Sequence, residues 1–194
     1  MKKVLLSLAI AVLSLPSFAD DVRLGYPAYN GTGCPNGSAS VALSPDHSSL
    51  SILFGQFMVQ AGGQSGRTLD RKNCDIAVPV HVPNGLSVSV INIDYRGFNN
   101  LPVGAMSKFN AEYFFAGTRG PAYSKAFQGP LADNYVLRNN LVATAVSWSP
   151  CGQDVNLRAT TSMFVRSYRE DAMATVDSAD LHAGMIYSLQ WRRC

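Results

Sequence analysis

The chain has 194 residues, 47% of them hydrophobic and 15% charged, with a formal net charge of +3. Its basic residues are scattered, which excludes a nucleic-acid footprint. No apolar run approaches the roughly 20 residues that a membrane-spanning helix needs.

Residues 1–19 read as a cleavable export signal: Lys2 and Lys3 supply the charge, Val4 to Leu15 the apolar stretch, and Ser17-Phe18-Ala19 the small-x-small cleavage site. Loss of its two lysines and no acid takes the net charge from +3 to +1. No cysteine follows the cleavage site, so lipid attachment there is not available. The mature chain is expected to begin at Asp20 and to be secreted or periplasmic, with no membrane span after signal removal. Its length of about 175 residues suits one domain with a substantial core.

Residues 20–33, rich in Gly, Tyr and Asn, are expected to form an irregular arm, and 34–194 a single domain. Short alternating runs then predict strands at Ser38–Leu43, Ser49–Phe54, Ile76–Val82, Leu86–Asp94, Phe109–Phe115, Tyr123–Phe127, Leu141–Trp148, Val155–Val165 and Met185–Trp191. In Leu86 to Ile93 the apolar residues alternate with serines until Ile91–Ile93 slips the register, as a bulge would. Turn residues divide the runs at Ser44-Pro45-Asp46, Pro83-Asn84-Gly85, Arg96-Gly97, Leu101-Pro102, Gly129-Pro130 and Ser149-Pro150. Only Asp177 to His182 hints at a helical turn. The pattern predicts an all-β antiparallel sandwich, jelly-roll or Ig-like, rather than alternating β and α units or a transmembrane barrel of longer strands.

Cys34, Cys74, Cys151 and Cys194 form an even set in an oxidising compartment, so disulfides are expected. Of three connectivities, Cys34 with Cys74 and Cys151 with Cys194 closes the two shorter loops. Each loop of about 40 residues is worth about 4 kcal/mol by loop entropy. The spacings hold no Cys-x-x-Cys and no His pair, so neither a metal nor a cofactor is expected.

Catalytic signals are sparse. Gly62-Gly63-Gln64-Ser65-Gly66 lacks the spacing of a nucleophile elbow and reads as a loop. His47, His81 and His182 are isolated in sequence. Gly31-Thr32-Gly33 is followed by Cys34-Pro35 and reads as part of the irregular arm rather than of a strand-turn-helix unit, and Asn30-Gly31-Thr32 and Asn36-Gly37-Ser38 match the glycosylation sequon but read as turns. The candidate acids for glycosidic chemistry are Asp94, Glu112, Asp177 and Asp180, which need two carboxyl groups roughly 5 to 10 Å apart in a cleft. Asp177 and Asp180 read equally as capping residues. The aromatic residues Tyr95, Phe98, Tyr113, Phe114, Phe115, Trp148 and Trp191 include possible sugar platforms, with core packing as the alternative. Tyr95, Arg96 and Trp148 are the candidate binding residues.

Several strings occur together in order: Cys34-Pro35-Asn36-Gly37-Ser38, Arg71-Lys72-Asn73-Cys74, Asp94-Tyr95-Arg96-Gly97, Tyr113-Phe114-Phe115-Ala116-Gly117, Trp148-Ser149-Pro150-Cys151-Gly152 and Leu189-Gln190-Trp191-Arg192-Arg193-Cys194. From about Cys34 to the C-terminus the chain resembles the secreted family called domain of unknown function 4360, found in bacteria and fungi. The resemblance implies a small secreted, disulfide-containing β-protein and supplies no catalytic residues. Three functions follow as expectations. The first is a non-enzymatic module binding a polysaccharide or a surface protein. The second is a small extracellular hydrolase acting on polysaccharide or cell-wall polymer, and the third a structural envelope component.

Overall fold

The computed structural model describes residues 22–141, 146–176 and 184–194. Among them lie thirteen strands: β1 (Arg23–Leu24), β2 (Ala28–Asn30), β3 (Ala39–Leu43), β4 (Ser49–Phe54), β5 (Met58–Ala61), β6 (Leu69–His81), β7 (Leu86–Leu101), β8 (Met106–Phe115), β9 (Ala122–Gln128), β10 (Leu131–Asn140), β11 (Val155–Arg166), β12 (Ala172–Thr175) and β13 (Met185–Arg193). Two sheets form. The first runs β1-β6-β11-β8-β9 with β2 also on β6, and the second β3-β4-β13-β7-β12-β5 with β10 also on β7. Strands pair antiparallel throughout, and among the described residues no helix is long and apolar enough to cross a membrane.

Alternation in the sequence decides which face of each strand is buried. On β11, Leu157, Ala159, Thr161, Met163 and Val165 are buried, while Arg158, Thr160, Ser162 and Phe164 stand on the other side. The two buried faces meet as a sandwich through aromatic pairs. Tyr95 of β7 lies 4.9 Å from Phe109 of β8 and 5.4 Å from Tyr123 of β9, and Tyr113 of β8 lies 6.3 Å from Tyr187 of β13. The bulge anticipated near Ile91 is present: Ser188 pairs with Asn92 but Leu189 with Val90. The extra residue restores the inward direction, so both Val90 and Ile93 are fully buried.

Both disulfides join nearest neighbours, Cys34 to Cys74 with Cα atoms 5.4 Å apart and Cys151 to Cys194 at 6.0 Å. The first ties the segment before β3 to the middle of β6; the second ties the end of β13 to the segment before β11.

Several expectations are corrected. The segment 20–33 is not wholly irregular: β1 and β2 both pair with β6, held by backbone bonds that need no alternating side chains. Arg96-Gly97 is no turn but lies inside β7. Gly97 is there because Tyr135 and the carbonyl of Thr175 press on the place a Cβ would occupy. Strands β5, β10 and β12 escaped the pattern. β10 is rich in Asn, Asp and Arg, yet ten register pairs with β7 override that local preference. Gly63–Ser65 is a single 3-10 turn. Of the expected strand Leu141–Trp148, residues 142–145 lie outside the described residues and Trp148 makes one bridge to Ser89. Residues 177–183, with the helical turn expected there, also lie outside them.

Candidate functional site

The acids singled out for hydrolysis do not converge. Asp94 follows buried Ile93 on β7, whereas Glu112 follows buried Ala111 on β8, so the two project from opposite outer faces of the sandwich with the core between them. Asp177 and Asp180 lie outside the described residues. Asp94 is also engaged: Arg138 Nε and Nη2 donate to its two oxygens at 3.1 and 3.3 Å, and Asn92 Nδ2 donates at 3.1 Å. Partial burial works against its charge, but the bonds from Arg138 and Asn92 and the charges of Arg138 and Arg96 outweigh it. The carboxyl is held below the usual aspartate range.

The three binding candidates have different fates. Tyr95 is 1% exposed and belongs to the core, where burial drives its phenol far above the usual range, so no ligand reaches it. Arg96 lies on the outer face of the second sheet beside Asp94, and its Nε is buried with no partner among the described residues. Trp148 is half-buried on that same face, but the Arg192 guanidinium sits 4.1 Å over its ring and occupies the surface a sugar would need. Phe115, Tyr113 and Trp191 also pack on or within the core, and Trp191 Nε1 donates to the carbonyl of His47 at 3.0 Å.

Folding does bring one histidine to an acid, with His81 Nδ1 2.7 Å from Asp154 Oδ1. Asp154 Oδ1 also accepts from the amide of Val82 at 3.3 Å, so the pair fastens β6 to the start of β11. Among the described residues no hydroxyl bonds to this imidazole, and no three His, Cys, Asp or Glu side chains group as metal ligands do.

The outer face of the first sheet is where polar groups gather. Register places Asn30, Asp75, Thr160, Glu112 and Ala122 side by side in one row across β2, β6, β11, β8 and β9. The next row on one side is Ala28, Ala77, Arg158 and Phe114, and on the other Asn73, Ser162, Asn110 and Ser124. Two shallow grooves of about 310 and 240 Å³ lie along these rows and meet at Thr160. Asn110 links the third row, donating to Ser162 Oγ at 3.3 Å and accepting from Ser124 Oγ at 3.0 Å. Asp75 and Glu112 stand two strand spacings apart, about 10 Å at Cα, and form no ion pair among the described residues. Phe114 is half-buried beside Arg158. The face therefore offers hydroxyl, amide, carboxylate and guanidinium groups around an accessible ring.

Of this face, sequence reasoning found Glu112 and Phe114. It missed Asp75, Arg158 and Thr160, although their outward phase is readable from the alternation with Ile76, Leu157 and Ala159.

A likeness of 10% identity and TM-score 0.32, over 91% of this chain and 90% of the other, is found with TmCBM61 in complex with beta-1,4-galactotriose, a level that assigns no ligand. An uncharacterized secreted protein from Arthroderma benhamiae is 31% identical over 178 residues, 90% of this chain and 73% of the relative. The profile of domain of unknown function DUF4360 matches residues 20–194, so the similarity begins earlier than Cys34 and takes in β1 and β2. The chain belongs to the DUF4360 family.

Proposed function

We propose that the protein is an exported, non-enzymatic binding module and that the outer face of its first sheet receives a polysaccharide. The observation that carries this reading is the row Asn30, Asp75, Thr160 and Glu112, which crosses four strands beneath two joined grooves. Sugar hydroxyls both donate and accept, and this row answers with carboxylate acceptors, a hydroxyl and an amide held on a rigid sheet. Phe114 adds an apolar surface for a ring face. The two disulfides, and the secreted relative, support an extracellular setting for such a role.

A hydrolase is the second reading, because Asp75 and Glu112 share this face. They stand two strands apart, about 10 Å at Cα, on an open face where the described residues form no enclosing cleft around a scissile bond. The two readings part in one experiment. The mature protein, disulfides intact, is incubated with extracellular polysaccharides, and binding and soluble products are measured together. Binding without products, lost in Thr160→Trp, supports the module; products that vanish in Glu112→Gln with binding retained support the hydrolase.

A further inference from the structure

We propose that the polysaccharide bound on this face is acidic, with carboxylate groups spaced along an otherwise hydroxyl-rich chain; this deepens the binding reading above and rests on it. The outward residues of strand β8 include, after Met106, Lys108, Asn110, Glu112 and Phe114, and those of its partner β11 include, between Asn156 and Arg166, Arg158, Thr160, Ser162 and Phe164. Both strands thus present a cation, two polar residues and a phenylalanine in the same order. Because they run antiparallel, with Thr161 opposite Ala111 at the centre, a local two-fold axis exchanges Lys108 with Arg158 and Phe114 with Phe164. Arg158 consequently faces Phe114 at one end, and Lys108 faces Phe164 at the other. Arg71 of β6 flanks Phe164 from the far side.

The two ends lie six residues apart along the strands, about 20 Å, the length of several sugar rings. At each end a half-buried phenylalanine adjoins a cation, and neither Lys108, Arg158 nor Arg71 is ion-paired among the described residues. An acidic sugar matches both parts of such an end, its apolar ring face against the phenylalanine and its carboxylate against the cation. Between the ends, Asp75 and Glu112 accept hydroxyls and repel anions. Charges on every sugar would therefore be opposed, whereas charges separated by neutral sugars fit.

The test uses the mature protein with matched probes: pectin of intermediate against full methyl esterification, and sparsely substituted carboxymethylcellulose against hydroxyethylcellulose, each by affinity electrophoresis and calorimetry. The acidic member of at least one pair is expected to bind about tenfold more tightly, and added salt to weaken it. Lys108→Gln and Arg158→Gln, both surface changes, are each expected to lose about tenfold. Equal binding of acidic and neutral members, lost in Thr160→Trp, overturns the acidic assignment and leaves the polysaccharide surface standing. No binding to any probe overturns both, as does a dimer in sedimentation that Phe114→Ser and Phe164→Ser dissociate, since a second copy would then occupy the face.

Discussion

Arg138 grips Asp94 across the β7–β10 pair, with Nε and Nη2 each meeting a different carboxylate oxygen. This contact fastens a central strand to its neighbour. The pairing depends on an ionised carboxyl. A group whose folded pKa is depressed contributes stability above its unfolded pKa and loses it as pH falls through the folded one. Arg138→Ala is therefore expected to be less stable than wild type at neutral pH and equal to it once pH falls well below 3.8, the ordinary aspartate value. Urea unfolding across that range reads the difference, and a deficit that persists undiminished at low pH contradicts it.

The turn between β3 and β4 rests on Asp46 in a similar way. Its carboxylate accepts from the hydroxyls of Ser44 and Ser48 at 2.5 and 2.7 Å and from the Ser48 amide at 3.1 Å. The Ser44 bond foremost, then those of Ser48, lower its pKa to about 2. The turn's contribution should fade as pH falls from about 4 to about 2, and Asp46→Asn should remove it at neutral pH. Carbon-detected titration of Asp46 by NMR gives the direct reading; a midpoint at the ordinary value refutes it.

Gly97 marks a close approach within the second sheet, beneath Tyr135, whose hydroxyl donates to the carbonyl of Thr175 at 2.7 Å. Gly97→Ala is expected to cost about 1–3 kcal/mol by overpacking. Adding Tyr135→Phe relieves part of that crowding, so the double variant should lose less than the sum of the singles. Thermal unfolding of the three variants measures this, and strict additivity speaks against the contact.

Cys194→Ser opens a loop of 43 residues, for which loop entropy alone predicts a loss of about 4 kcal/mol. The same change should free Cys151 and leave Cys34 and Cys74 joined. Mass spectrometry after thiol alkylation identifies the liberated cysteine, and labelling at Cys34 instead of Cys151 rules the pairing out.

The sandwich was readable where one face is apolar and the other polar, as along Leu86 to Val90 and Val155 to Val165, because burial forces a period of two. Even the bulge at Ile91 showed in that rhythm. β10 was hidden because its side chains carry little of the pattern and its ten pairs with β7 supply what they lack. Gly97 misled for a related reason: glycine signals a turn in sequence, but here it makes room for Tyr135. The candidate face was legible only in fragments. Glu112 and Phe114 were visible as an acid and an aromatic residue, but their neighbours Asp75, Thr160 and Arg158 come from strands distant in the chain, and register alone sets them in rows.

The most direct measurement of the central claim is amide chemical-shift mapping of the mature protein titrated with oligomers of a bound polysaccharide. Perturbations concentrated at residues 28–30, 73–77, 108–114 and 158–164, with no products in the same tube, are the expected result. Shifts centred instead on Asp94, Arg138 and Trp148, or release of shortened oligomers, would contradict it.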